Sequence, residues 1–366
     1  MKILAPLNGV DETEMLLANG AEELYCGMVP DEWVERYTGA VWLNRRSPVG
    51  GNLRTFADLG RVIEQAHRAA VPVFITLNAQ TYTAGQLPLV VELARRYVGE
   101  AGADALIISD PGLLMALAEE NLSCALHLSS IAATLNSSAI EFFRSLGVRR
   151  VILPRSLTLP EIARIVTTAG PQMEIETFIL NDGCIFEEGN CLTTHHHSVG
   201  AFCTNLVKMS SETVKLSGNP WREGEEEAAA KLLDDFRRRI GVLTNSACSE
   251  QGAGAVLPGP CGLCAIPFFE RIGVASLKIV GREASAMRKL MSLRLVRSVV
   301  ARQRAGASES EVQEHAQSIR LAPARCVPGE MCYYEWEENP SATERPAKNP
   351  ELTTISESRP ASMPGD

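Results

Sequence analysis

Short β-branched runs alternate with amphipathic stretches through the first 180 residues. The runs Lys2–Pro6, Glu23–Gly27, Val73–Asn78, Ala105–Ser109, Ala125–Ser129, Arg150–Pro154 and Glu174–Ile179 read as buried strands. Between them, Glu12–Asn19, Phe56–Ala70, Leu87–Ala101, Gly112–Glu120, Ser137–Leu146 and Leu159–Thr168 carry apolar residues at helical spacing, as in Leu59, Val62, Ile63 and Ala66. Strands alternating with helices predict right-handed βαβ units and a parallel sheet. An eighth strand, Ala275–Val280, precedes a long helix over Glu283–Arg304. Eight strand–helix units predict an α/β fold of the TIM-barrel-like (β/α)8 kind, with a Cys-rich insertion between the seventh and eighth strands. A doubly wound open sheet is the alternative, because periodicity does not decide closure.

The expected organisation is therefore residues 1–180 for strands one to seven and 181–270 for the insertion. Residues 271–320 supply the last strand and helix, and 321–366 a largely disordered tail rich in Pro, Ser, Thr and Glu. Within the insertion, Ser217–Gly224 reads as a surface excursion before a charged helix, Glu225–Ile240. In a barrel, polar residues just past the strand ends ring one mouth. Asn8, Asn78, Asp110, Ser129, Ser130, Arg155 and Arg282 hold such positions, and His127 lies two residues before Ser129 on the same strand face. Asp110, before Pro111-Gly112, reads equally well as a helix N-cap.

The 366 residues carry a formal net charge of -9, so the chain as a whole does not attract a nucleic-acid backbone. Local basic stretches remain, Arg144 to Arg155 and Lys289 to Arg304, which also read as solvated helix faces. Met1–Pro6 is too short an apolar run for a signal peptide, and no window approaches the roughly 18 apolar residues of a membrane span. A soluble, cytoplasmic protein is expected. In that setting ten cysteines argue for metal or redox chemistry over a disulfide framework.

Four of them, Cys184, Cys191, Cys203 and Cys261, fall on the insertion. Paired CxxC knuckles would indicate structural zinc, but the one CxxC is Cys261-Gly-Leu-Cys264. The earlier cysteines are separated by six and then eleven residues, an irregular set that suits a 4Fe–4S cluster held from scattered loops. Zinc stays open because His195-His196-His197 shares the loop, as does a site with no metal. Cys26 and Cys124 sit in or beside predicted strands as small buried hydrophobes. Cys326 and Cys332 flank a Pro-Gly turn and read as an ordinary thiol pair. There is no Gly-x-Ser-x-Gly elbow, His-Glu-x-x-His or phosphate loop, and no acid is placed beside His127 and Ser129 to make a hydrolase triad.

Several segments together resemble the peptidase U32 family of collagenase-like proteins. They are Leu4-Ala-Pro6, Asn19-Gly-Ala-Glu-Glu-Leu-Tyr25-Cys-Gly27, Val73-Phe-Ile-Thr-Leu-Asn78, Gly102 to Asp110 and Leu146 to Arg155. Glu176-Thr-Phe178 leading to Gly183-Cys184 and Cys191, and Gly273 to Arg282, complete the match over roughly residues 1–300. The resemblance implies a barrel with an oxygen-sensitive 4Fe–4S cluster on Cys184, Cys191, Cys203 and Cys261, the last chosen over Cys264 by its step to Gly273. Better-understood members take part in oxygen-independent hydroxylation of ubiquinone precursors or RNA bases, with prephenate implicated as oxygen donor. Others carry a peptidase label. The chain departs from the family pattern at Leu180-Asn181, where His-Gly is usual, at Val280, where the motif has an acid, and at Val207, where a further cysteine is frequent.

The resulting expectation is a U32-type hydroxylation enzyme acting on a small-molecule, RNA or peptide substrate. Asp110, His127, Arg155, Lys278 and Arg282 would orient a small carboxylate donor, Arg being suited by its bidentate fork. Lys278, inside the eighth strand, reads equally as an outward-facing or layer-filling residue. The alternatives are a U32-type peptidase and a non-catalytic 4Fe–4S protein acting as partner subunit to a homologous chain.

Overall fold

The computed structural model describes residues 1–37, 42–48, 50–184, 187–191, 195–196, 200–201, 214–215, 217–244, 259–320, 326 and 331–334. Eight parallel strands close into a barrel: β1 (Lys2–Pro6), β2 (Glu23–Cys26), β3 (Val73–Leu77), β4 (Ala105–Ile108), β5 (Ala125–Leu128), β6 (Val148–Ile152), β7 (Glu174–Leu180) and β10 (Ser276–Ile279). β10 pairs with β7 on one side and β1 on the other, which completes the ring and excludes the open sheet. The insertion carries a two-stranded hairpin, β8 (His195–His196) with β9 (Gly200–Ala201), and helix α8 (Glu225–Thr244).

The helices bury their apolar stripes against the outside of the ring. They are α1 (Asp11–Ala18), α2 (Asp31–Tyr37), α3 (Phe56–Arg68), α4 (Leu87–Gly99), α5 (Pro111–Ala118), α6 (Ser137–Ser145), α7 (Leu159–Ala169), α9 (Ile266–Ile272), α10 (Ala286–Arg304) and α11 (Glu309–Ile319). In α3, Thr55 caps the first turn by accepting from Asp58 N, and Leu59, Val62, Ile63 and Ala66 are buried, as their spacing predicts. Reciprocal capping boxes start α7 (Thr158 with Glu161) and α11 (Ser308 with Glu311). Helices α2, α9 and α11 were not legible in the sequence. The first two have seven residues each, under two helical periods. In α11 the buried stripe is reduced to Val312 and Ala316.

Inside the ring, Leu4, Tyr25, Phe74, Ile107, Ile152 and Phe178 form an apolar cluster separate from the outer core. It shares the interior with an ionic layer. Arg150 Nη1 and Nη2 both reach the Glu23 carboxylate at 2.8 Å, Nη1 lies 3.2 Å from Glu176, and Lys278 Nζ lies 2.8 Å from the other Glu176 oxygen. Ser276 Oγ donates to Glu23 at 2.7 Å. Glu23 and Glu176 are both fully buried. Such charges persist in an interior only when paired and hydrogen-bonded, as these are. Lys278 therefore points inward, and a register shift between Lys278 and Ile279 in the β10–β7 ladder falls beside it.

The last described segment returns to the barrel. Cys261 bridges antiparallel to Leu180 at the end of β7 and parallel to Cys332. Met331 and Tyr334 are buried, and the Tyr334 hydroxyl donates to the Phe178 carbonyl at 2.6 Å. Residues 331–334 of the expected tail thus belong to the packed unit, while 335–366 lie outside the described residues. Among the described residues no helix is long and apolar enough to cross a membrane.

Candidate active site at the barrel mouth

A cavity opens at the C-terminal ends of the strands. Asn78, Ser129, Ser130, Arg155, Lys278 and Arg282 line it together with Cys184 and Cys191 from the chain leaving β7. Residues separated by more than two hundred positions in sequence thus converge because each follows or ends a strand.

Five cations face this space: Arg45, Arg46, Arg155, Lys278 and Arg282. Arg46 pairs with Asp182 at 2.9 Å and Glu283 at 3.3 Å, and Lys278 with Glu176 at 2.8 Å. Arg155 pairs with Glu188 and lies over the Phe178 ring, 3.6 Å from its centre. Burial works against the Arg155 charge, but Glu188, Tyr333 and Cys184 outweigh it and raise its pKa. Arg282 is held differently. Its guanidinium donates to Thr76 Oγ1 at 2.7 Å, Asn52 Oδ1 at 3.4 Å and Asn44 Oδ1 at 3.4 Å, all neutral oxygens. Burial, then the neighbouring Arg46, pulls its pKa down to about 10, so the side chain stays cationic at neutral pH. A buried cation hydrogen-bonded to neutral acceptors is a ready site for an anion.

Gly27 makes that arrangement fit. A Cβ there would stand 2.1 Å from both Arg282 Nη1 and Asn52 Oδ1, so bare backbone at the end of β2 lets the two side chains pass. Gly189 plays the same part in the cysteine loop. A Cβ there would meet the Ala133 Cβ at 2.5 Å, and its carbonyl accepts from Gln80 Nε2 at 2.9 Å.

The thiols on the cavity sit among cations. Arg45 Nη2 donates to Cys191 Sγ at 3.1 Å, and the charge of Cys184 is felt at Arg155. Cationic donors favour thiolate, the form that binds metal or iron–sulfur. Gly183 and Gly189 beside these cysteines permit close backbone approach. Cys184 and Cys191 therefore fit a thiolate-ligated group. Cys203 lies outside the described residues. Among the described residues no three His, Cys, Asp or Glu side chains gather at metal-holding distance.

Three expected site residues stand away from the cavity wall. Asp110 is a helix cap: Oδ1 accepts from Leu113 N and Oδ2 from Tyr82 N, both at 2.8 Å, which spends the carboxylate on backbone. His127 lies deeper in the barrel, its ring edge-on to Phe74 at 4.6 Å, with Nδ1 lacking a partner. Burial, with Arg150, Lys278 and Lys2 adding, holds its imidazole well below the usual histidine range, so it is neutral at pH 7. Cys261 stands behind the end of β7, where Cys264, Cys326, Cys332 and Arg320 are its electrostatic neighbours.

Arg45 and Arg46 escaped the sequence reading. They lie on the loop between α2 and α3, which has no periodicity. The available signal was position, since the loop follows β2 on the face where the other strand ends deliver Asn78 and Arg155.

A closed parallel barrel with a cation-rich mouth flanked by paired cysteines defines the class of architecture. Residues 8–338 match the model of peptidase family U32, and the chain belongs to that family. It is 27% identical over 315 residues to tRNA hydroxylation protein P of Escherichia coli K12, covering 78% of this chain and 64% of that protein. The Haemophilus influenzae protein of the same name is 27% identical over 310 residues, with the same coverage. tRNA hydroxylation protein P2 of Bacillus subtilis is 29% identical over 191 residues, 52% of this chain and 59% of the relative. The chain thus spans less than two thirds of the length of these relatives.

Proposed function

We propose that this chain carries out hydroxylation-type chemistry on tRNA, using an iron–sulfur group held by thiolates at the barrel mouth. The observation that carries the reading is that Cys184 and Cys191 open on the same cavity as Arg282, in a chain whose matched relatives are named for tRNA hydroxylation. The group, when bound, would supply one-electron redox chemistry without molecular oxygen. Cys184 and Cys191, with Cys203, are the residues proposed to hold it. Cys261, the fourth cysteine that the resemblance implies, does not line the cavity and is proposed as the remaining ligand on the family pattern.

The chain's own residues would act as follows. Arg282 binds and orients a carboxylate of a small oxygen donor, for which prephenate is the candidate the family resemblance offers. Lys278, fixed by Glu176, adds a second positive charge at the cavity floor. The Arg155–Phe178 stack keeps one wall planar and partly dry. Asp110 and His127 have no part in this scheme. The cavity lining contains no histidine among the described residues, which removes the simplest base for a serine or cysteine peptidase.

The test is anaerobic purification with iron, sulfide and absorbance measurement, followed by mass spectrometry of tRNA nucleosides from cells with and without the gene. About four iron and four sulfide per chain and loss of one hydroxylated nucleoside on deletion are expected. Colourless protein that cleaves peptides, or an unchanged nucleoside profile, overturns the reading.

A further inference from the structure

Two of the neutral acceptors that hold Arg282 come from the segment 43–53, which is internally hydrogen-bonded. Asn44 Nδ2 donates to Asn52 Oδ1 at 2.8 Å, Arg46 N to Asn44 Oδ1 at 3.0 Å and Asn52 Nδ2 to the Ser47 carbonyl at 2.6 Å. Asn44 and Asn52 are buried and accept from Arg282 as well. Both ends of the segment are fastened to the barrel. Leu53 N donates to the Gly27 carbonyl at 2.7 Å, and the Tyr82 hydroxyl to the Leu43 carbonyl at 2.6 Å.

The turn between those ends is held from outside the cavity. Asn8, just past β1, donates through Nδ2 to the Gly50 carbonyl. Asn8 is itself fixed by α1 and α10. Lys289 Nζ donates to Asn8 Oδ1 at 2.6 Å and to the two Glu12 oxygens at 2.9 and 2.8 Å, while Asn8 N donates to Glu12 Oε2 at 3.0 Å. Lys289 and Glu12 are buried, and a buried ion pair is a weak source of net stability. What this pair does supply is direction. An ammonium only donates, so Asn8 must turn Oδ1 toward it, which leaves Nδ2 for Gly50. The turn in its own right packs on the cavity wall. A Cβ on Gly51 would stand 2.8 Å from Arg46 Cβ and 2.9 Å from Glu283 Cγ, so a shift of the turn is felt at the Arg46–Glu283 pair.

We infer that Asn8 and Lys289 are positioning residues for the anion site. Lys289 orients Asn8, Asn8 pins the turn at Gly50, and the pinned segment holds Asn44 and Asn52 against Arg282. Neither Asn8 nor Lys289 lines the cavity, so both act through the segment. The inference rests on Arg282 as the cation that receives a carboxylate, and it is independent of the iron–sulfur group.

The experiment uses the full chain, purified anaerobically, with malonate as the probe. Asn8→Asp keeps the acceptor for Lys289 and removes the donor to Gly50, whereas Asn8→Ala removes both. Malonate affinity is measured by calorimetry. Native-state tryptic cleavage after Arg45 and Arg46 is followed by mass spectrometry, with cleavage after Arg68, at the end of α3, as the internal reference. Both variants should bind malonate about 3–10-fold more weakly, the worth of one hydrogen bond. Cleavage after Arg45 and Arg46 should quicken by about the same factor, because it follows the population of the opened segment. The rate at Arg68 should not change. Wild-type affinity in either variant overturns the inference. So does weaker binding with unchanged cleavage at Arg45 and Arg46, or with cleavage raised equally at Arg68, the mark of a general loss of stability. If the wild-type protein itself binds no malonate, the carboxylate role of Arg282 falls and takes the inference with it. Binding that is alike in wild type and variants defeats the inference alone, and iron content bears only on the proposed function.

Discussion

Replacing Arg150 with Met should cost about 3 kcal/mol of stability. The Arg150 side chain is 4% exposed and makes two 2.8 Å bonds to Glu23, itself fully buried. Removing one partner of a buried ion pair costs about 3–5 kcal/mol, chiefly by stranding the other charge. Glu23 keeps Ser276 Oγ at 2.7 Å and Lys2 Nζ at 3.4 Å, which places the cost at the lower end. With a urea slope of about 1–3 kcal/mol/M, the unfolding midpoint should fall by at least about 1 M. The pH dependence has a definite sign. Burial raises the Glu23 pKa, but Arg150, Ser276 and Lys2 outweigh it, so the folded value lies below the unfolded one. The stabilisation is therefore present above the unfolded pKa of about 4.3 and is lost as pH falls through the lower folded value. The gap between wild type and variant should narrow over that acidic range. Adding Glu23→Gln to the variant should recover part of the stability, because the Glu23 carboxylate is then no longer stranded while Glu176 keeps Lys278 at 2.8 Å. The reasoning is refuted if the midpoint is unchanged, if the gap is constant through the acid range, or if the two substitutions are simply additive.

Arg282→Gln should weaken binding of a small dicarboxylate by about 10–100-fold in calorimetry, the worth of a charged hydrogen bond; equal affinity would remove the anion assignment. Gly27→Ala should lower the same affinity with the barrel intact by circular dichroism, because the new methyl displaces Arg282 and Asn52; unaltered binding would show that both side chains move aside at no cost. Cys184→Ala and Cys261→Ala should each purify without iron, and iron retained in either variant would remove that cysteine from the ligand set.

The barrel was legible because each strand is a short β-branched run followed by a helix with its own stripe. Even the eighth strand after the insertion was recognisable from Ala275–Val280. Closure was not legible, since it depends on β10 meeting β1 at Lys2–Ser276, a pairing no local pattern encodes. At the site, Arg155, Lys278 and Arg282 could be read from strand ends, and the structure brings them to one cavity. Asp110 carried two readings, and the Pro-Gly after it announced the cap that the structure shows. His127 does not reach the cavity, because its ring packs edge-on to Phe74 and its place in the ladder sets it beside Arg150. Cys261 was grouped with Cys184 by the family resemblance, through its step to Gly273. The return of the chain at 331–334, which draws it toward Cys332, leaves no periodic trace.

Arg282 and Asn44 are 238 residues apart, and Arg46 and Glu283 are 237 apart. Domains begin to form from the N-terminus during synthesis. A nascent chain that has emerged only through α8 already carries Arg45, Arg46, Arg155, Cys184 and Cys191, but neither Lys278 nor Arg282. It has no floor to its cavity and no partner for the exposed edges of β1 and β7, and unpaired strand edges invite aggregation. Ligand capture by this protein is thus an event of the finished chain, and the long insertion lengthens the interval on the ribosome during which those two edges must be kept apart from other strands.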